Sequence, residues 1–218
     1  MLNLILKDMK LGIHPFFFIM PLLTGALMLV PGWIYFVVLL YFCCITIPNM
    51  FGGFKTQNDL MFTAMMPVRK SDIVKARVSV LVILELLHIA IAMIYGLFTI
   101  RLYPDLMYYF FGPSLGFWGL CFVMLAIFNI VFITMYYKTA YKYGAATIAS
   151  ITASLLFAGA AQWAGIQNPY LSGIFYGTGI DNTALHLTIL IAGILIFAAF
   201  TMIAYRVAMV RFHRVEVQ

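Results

Sequence analysis

Lys55-Thr56-Gln57-Asn58-Asp59-Leu60-Met61-Phe62-Thr63-Ala64-Met65-Met66-Pro67-Val68-Arg69-Lys70-Ser71-Asp72-Ile73-Val74-Lys75-Ala76-Arg77 is a polar stretch set inside an otherwise apolar chain. Asn58 stands where a side chain can cap a short helix, and Asp59 suits that helix's positive end. Pro67 cannot continue the helix and stops it. Ser71 then caps the next helix, with Asp72 in its first turn. The segment 54–77 therefore predicts a short helix lying across one end of a bundle, with Leu60, Met61, Phe62, Met65 and Met66 exposed beside charge. Apolar side chains exposed within a polar loop mark a docking surface. The alternative is that they dip into a membrane interface.

The rest of the chain says what kind of bundle this is. Of the 218 residues, 65% are hydrophobic and only 9% charged, where a soluble domain carries about 25% charge. So few charges cannot cover a water-facing surface, and lipid must solvate most of the molecule. At ~20 residues per crossing, the chain accommodates about six spans as one domain, 1–218. The expected spans are 14–30, 33–53, 78–100, 113–136, 144–164 and 184–205. Pro31-Gly32 makes the first turn, Trp33 and Tyr35 open the second span at an interface, Pro48 kinks it and Gly52-Gly53 ends it. Residues 165–183 read as a long Gly/Asn/Pro loop.

Before the spans, residues 1–13 read as an amphipathic helix flat on the membrane. Leu2, Ile5, Leu6, Met9 and Ile13 form the apolar face; Asn3, Lys7 and Lys10 form the other. No small-residue cleavage site follows, so the segment is expected to be retained. With six spans, every one of the 13 Lys and Arg except Arg101 falls on one side. Positive charge stays inside, which puts both termini and a basic tail, 206–218, in the cytoplasm. Five or seven spans would scatter the charges. The net charge of +6 is thus a topology signal, and nucleic acid is not expected as a partner.

Motifs for bond chemistry are missing. There is no G-x-x-x-x-G-K-[ST] phosphate loop, so any use of ATP falls to a partner. Gly177-Thr178-Gly179 follows no strand. Glu85 and His88 form a single Glu-x-x-His pair, short of what a di-metal site needs. Cys43, Cys44 and Cys121 show no metal or disulfide spacing. No metal and no directly bound cofactor are expected. Glu85 nonetheless needs a reason to sit inside a span, where an acid costs about 2.5–3.5 kcal/mol on insertion scales. It either lines a pathway or gate, where His88 can pair with it, or makes an internal hydrogen bond that fixes packing; Asn129 is read the same way. Ala145, Ala149 and Ala153, with Ala146, Ser150 and Ser154 alongside, form small rows that suit close helix packing, within the subunit or between subunits.

The run Asn58-Asp59, an apolar helix, then Pro67-Val68-Arg69-Lys70-Ser71-Asp72-Ile73-Val74-Lys75-Ala76-Arg77 resembles the cytoplasmic loop of small bacterial type-two ABC permeases. Met65-Met66 stands where that pattern carries Ser-Leu. Length, topology and the surface helix agree with the resemblance. It implies an all-α membrane subunit without an ATPase motif. Two copies, or one copy and a sister permease, would pair over two separate ATPase subunits carrying ATP and Mg. Asn58, Asp59, Leu60, Met61, Phe62, Met65, Met66, Pro67 and Arg69 would form the coupling region. The chain is similar to Gram-positive exporters of antimicrobial or amphipathic peptides, including phenol-soluble-modulin exporters. By that resemblance it would sit in the bacterial cell membrane and work by alternating access. Two other readings stand beside this one. A substrate-capturing subunit of a vitamin importer would show an outer polar pocket and no separate coupling loop. A membrane-embedded enzyme would need more convergent polar groups than Glu85, His88 and Asn129.

Overall fold

A computed structural model describes residues 2–104, 110–139, 142–175 and 182–214. Most of those residues are helical, and none of them forms a strand. Gly177-Thr178-Gly179 and the tail beyond Arg214 lie outside them.

The chain opens with α1, Leu2–Lys7, which widens into a π turn over Asp8–Gly12. Its buried stripe differs from the expected one: Leu4, Asp8 and Ile13 are buried, while Leu2 and Leu6 are exposed. The helix thus turns a charged residue toward the protein, because Asp8 has cationic partners there. Next comes α2, Phe16–Gly25, tightened into a 3₁₀ turn over Ala26–Leu29. Pro21 lies within it. This first apolar segment is about 23 Å long at helical and 3₁₀ rise, against ~30 Å of bilayer hydrocarbon. Thr99, in the helix Lys70–Leu102, caps its end, donating its hydroxyl to the Met28 carbonyl at 2.6 Å.

Among the described residues, five helices are long and apolar enough to cross a membrane, and Phe16–Leu29 is a shorter apolar helix at the position of the expected first span. The first of the five, Phe36–Thr56, joins α3 (Phe36–Tyr41) to α4 (Ile47–Thr56) through a π turn at Phe42–Thr46. Pro48 lacks an amide, and its ring crowds the carbonyl four residues back, so a widened turn just before it relieves the clash. The helix passes through Gly52-Gly53 rather than ending there. Trp33 is exposed as expected, but Tyr35 is buried and donates its hydroxyl to the Val30 carbonyl at 3.2 Å.

The short helix α5, Asp59–Met65, leads to α6, Lys70–Leu102. At 33 residues, α6 is about 50 Å long and must project beyond the hydrocarbon. Its capping position is Arg69 rather than Ser71, and no side chain bonds there. The remaining long helices are α7 (Leu115–Thr139), α8 (Tyr143–Gln167) and α10 (Thr183–His213). Within the expected outer loop, Asn168 accepts the Tyr170 amide at 2.9 Å and starts a further short helix, α9, Pro169–Phe175. The expected basic tail is helical up to His213. Ala204, Ala208 and Phe212, four residues apart, continue the buried stripe of α10 into it.

At the centre is α7, with 72% of its most apolar stretch buried, against 17% for α10. The two helices touch backbone to backbone. A Cβ on Gly193 would lie 2.8 Å from the Gly119 Cα. No side chain larger than hydrogen fits this crossing, and small residues are what allow close packing where lipid removes the hydrophobic drive between helices. On α8 the buried row is Ala146, Ser150, Ser154 and Ala158, while Ala145 is exposed. That row therefore packs within the subunit. Outward-facing Leu97, Leu156, Trp163 and Leu195 leave an apolar exterior.

Candidate coupling site

Around α5 the expected docking helix has two unlike faces. Asn58 precedes it with φ 48°, in the left-handed region. Asn tolerates that conformation better than most residues, and it reverses the chain after α4. The Asn58 side chain makes no capping bond, so its role is conformational rather than the cap expected from sequence. Asp59 and Thr63, four residues apart, share one helix face. Lys7 Nζ of α1 donates to Asp59 Oδ1 at 2.6 Å and to Thr63 Oγ1 at 2.6 Å. Arg77 of α6 pairs with the other Asp59 oxygen and lies 3.5 Å from Asp8 Oδ2. Lys7 also lies 3.1 Å from Asp8. The guanidinium sits 3.7 Å over the Phe54 ring, a cation–π contact that places α4 in the same cluster.

Two acids and two bases thus neutralise one another in a nearly dry site: Arg77 is 1% exposed and Asp8 3%. Burial of either charge alone costs several kcal/mol, so the four hold together only as a set. They tie α1, α4, α5 and α6 at one end of the bundle. On the far side of α5, Met61, Phe62 and Met65 are 46%, 61% and 72% exposed. Asn58, Pro67 and Arg69 are also exposed, and Met66 is half-buried. The Leu60 side chain lies outside the described ones. The residues named from sequence therefore split: Asp59 holds the helix down, and Met61, Phe62 and Met65 face away.

Deeper in the bundle, Glu85 and His88 go to different neighbours. Asn129 of α7 donates its amide to Glu85 Oε2 at 2.9 Å and to Thr201 of α10 at 3.2 Å. Glu85 and Asn129 are fully buried. This link joins α6, α7 and α10, and it does not run through His88. His88 Nε2 lies 3.1 Å from the Val38 carbonyl, to which it donates, and 3.5 Å from Thr24 Oγ1. The Phe42 amide bonds Leu39 at the onset of the π turn, beside the Val38 carbonyl that takes His88. Thr201 also borders a groove of about 620 Å³ between α6 and α10, which runs from Ile5 and Lys75 past Val82 to Phe197. Among the described residues no cluster of His, Cys, Asp or Glu could hold a metal ion.

Sequence reasoning missed Asp8, Lys7, Thr63 and Arg77 as members of one site. Asp8 on a supposed membrane-surface helix was the available signal, since an acid beside lysines near an anionic surface needs a partner. No curated protein and no solved structure matches the chain. One family model does, described as ABC-2 family transporter protein, over residues 3–212. A helical membrane bundle with a short helix clamped at one end thus has its family: the chain belongs to the ABC-2 family of transporter proteins.

Proposed function

We propose that the chain is the transmembrane subunit of an exporter powered by a separate ATPase, and that α5 is where the two meet. The observation carrying this is the two-faced helix. Asp59 and Thr63 fasten it to Lys7 and Arg77, and Met61, Phe62 and Met65 project outward. A helix that transmits force needs a rigid mount on one side and an adhesive patch on the other. In this reading a movement of the ATPase pulls α5, and the ion cluster passes the displacement to α1, α4 and α6. The Asn129 link then carries it from α6 to α7 and α10.

The same proposal includes six crossings, with Phe16–Leu29 as the first, α1 along the interface and both termini in the cytoplasm. It includes two permease copies, a bacterial cell membrane, and amphipathic peptides of the phenol-soluble-modulin kind as cargo. The apolar groove between α6 and α10 supports a greasy cargo, and Met-rich surfaces adapt to varied ones.

Phe62→Asp tests the docking role. Phe62 is well exposed, so the variant is expected to fold as wild type. It should lose at least tenfold in capture of the cognate ATPase, a cost of ~1.4 kcal/mol or more at an apolar contact. Unchanged capture and unchanged transport-coupled ATP hydrolysis would sink the proposal.

A further inference from the structure

We propose that Glu85 and Asn129 form a proton-binding site inside the bundle: one proton, carried on Glu85 Oε1, closes a two-bond pair between a carboxylic acid and a carboxamide. The Asn129 amide nitrogen has two hydrogens to donate. One goes to Glu85 Oε2 at 2.9 Å and the other to Thr201 Oγ1 at 3.2 Å. Two buried oxygens, Glu85 Oε1 and Asn129 Oδ1, are then left without a partner. While Glu85 is ionised both are acceptors, so neither satisfies the other. They belong to groups already joined by one bond, and an acid can meet an amide through two. A proton on Oε1 turns that oxygen into a donor, and Asn129 Oδ1 is the acceptor left to take it. Glu85 Oε2 becomes the carbonyl of the acid and keeps its bond from Asn129.

Charge leads to the same proton. Glu85 is in no ion pair among the described residues, although it is wholly buried. Its surroundings supply no cation. Arg77, further back on α6, is held by Asp8 and Asp59, and Lys7 of α1 belongs to the same clamp. His88 bonds the Val38 carbonyl instead. Cys43, on the π turn of the first long helix, interacts with Glu85 and carries no positive charge in either of its forms. Asn129 of α7 and Thr201 of α10 are neutral. A buried carboxylate with no cation takes up a proton rather than keep its charge. The proton comes from water and returns to it, and Thr201, which borders the groove between α6 and α10, gives it a way in. With the proton bound, a neutral pair holds α6 to α7, and Thr201 extends the hold to α10. Without it, two oxygens oppose each other beside a buried charge, and the link loosens. On the function proposed above, this is the link through which displacement at α5 reaches α10.

The test is infrared spectroscopy of the purified full chain in lipid bilayer discs at neutral pH. It needs no ATPase, so its outcome is separate from that of Phe62→Asp. Wild type should show the carbonyl band of a protonated carboxyl group, and Glu85→Gln should lose it. The wild-type band should lie at the lower frequency of a hydrogen-bonded acid, and Asn129→Leu should keep the band but raise its frequency. Glu85→Gln retains one donor and one acceptor toward Asn129 and should melt within about 2 °C of wild type. A wild-type spectrum without a band that Glu85→Gln removes overturns the site, as does a Glu85→Gln chain that fails to fold. A band already at the frequency of an unbonded acid in wild type overturns the pairing with Asn129.

Discussion

The two ends of this bundle are held by different physics. At one end, Lys7, Asp8, Asp59 and Arg77 form a nearly dry, neutral set of full charges that joins four helices. At the other, neutral contacts do the joining. The Gly116 amide donates to His186 Nδ1 at 3.1 Å, and His186 Nε2 donates to the Ile174 carbonyl at 3.1 Å. Phe111 stacks on Phe175 at 4.6 Å, and α7 meets α10 at Gly119 and Gly193. Charges act over distance and tolerate sliding while they stay paired. Glycine contacts and ring stacks tolerate almost none. The two ends therefore differ in what each would tolerate: the charged end depends on pairing, the packed end on exact fit.

The sharpest way to break the contrast is Arg77→Met. It strands Asp59 and Asp8 with only Lys7, and should cost about 3–5 kcal/mol by thermal unfolding of the purified protein. Adding Asp59→Asn should recover part of the loss, because the two residues belong to one network. An additive double variant would mean that the cluster is not a unit. Gly193→Val attacks the other end, where a side chain meets the Gly119 backbone. It should cost about 1–3 kcal/mol, or separate α7 from α10, without reducing ATPase capture. His186→Phe acts at the same end and on the same scale. It orphans the Gly116 amide and the Ile174 carbonyl, at about 1–3 kcal/mol. It should raise hydrogen exchange in Pro169–Phe175 while leaving exchange in Asp59–Met65 unchanged. Faster exchange at both ends in the His186 variant would show that the ends are not separable.

Much of this was legible in residue order. Long apolar runs between sparse charges marked the helices that can cross a membrane. Pro67 marked the end of α5, two residues before it could continue, and the exposure of Met61, Phe62 and Met65 followed from their neighbours. The errors share one cause: each side chain was assigned to its local helix and not to a distant partner. Ser71 and Asn58 looked like caps because local bonds are the ones a linear reading sees. Asp59 looked like a complement to its own helix, yet it pairs with residues 52 and 18 positions away. Glu85 and His88 share a helix face by spacing, but Asn129 and Val38 take them apart.

What the amino-acid order determined alone was the solvent. At 9% charge the chain has no choice but lipid. What only the tertiary structure decided was which charges meet. Burial makes an unpaired charge so costly that the fold brings Lys7 and Asp8, Asp59, and Arg77 together from three separate stretches of the chain. Pairing of that kind depends on distance in space, which a sequence does not carry.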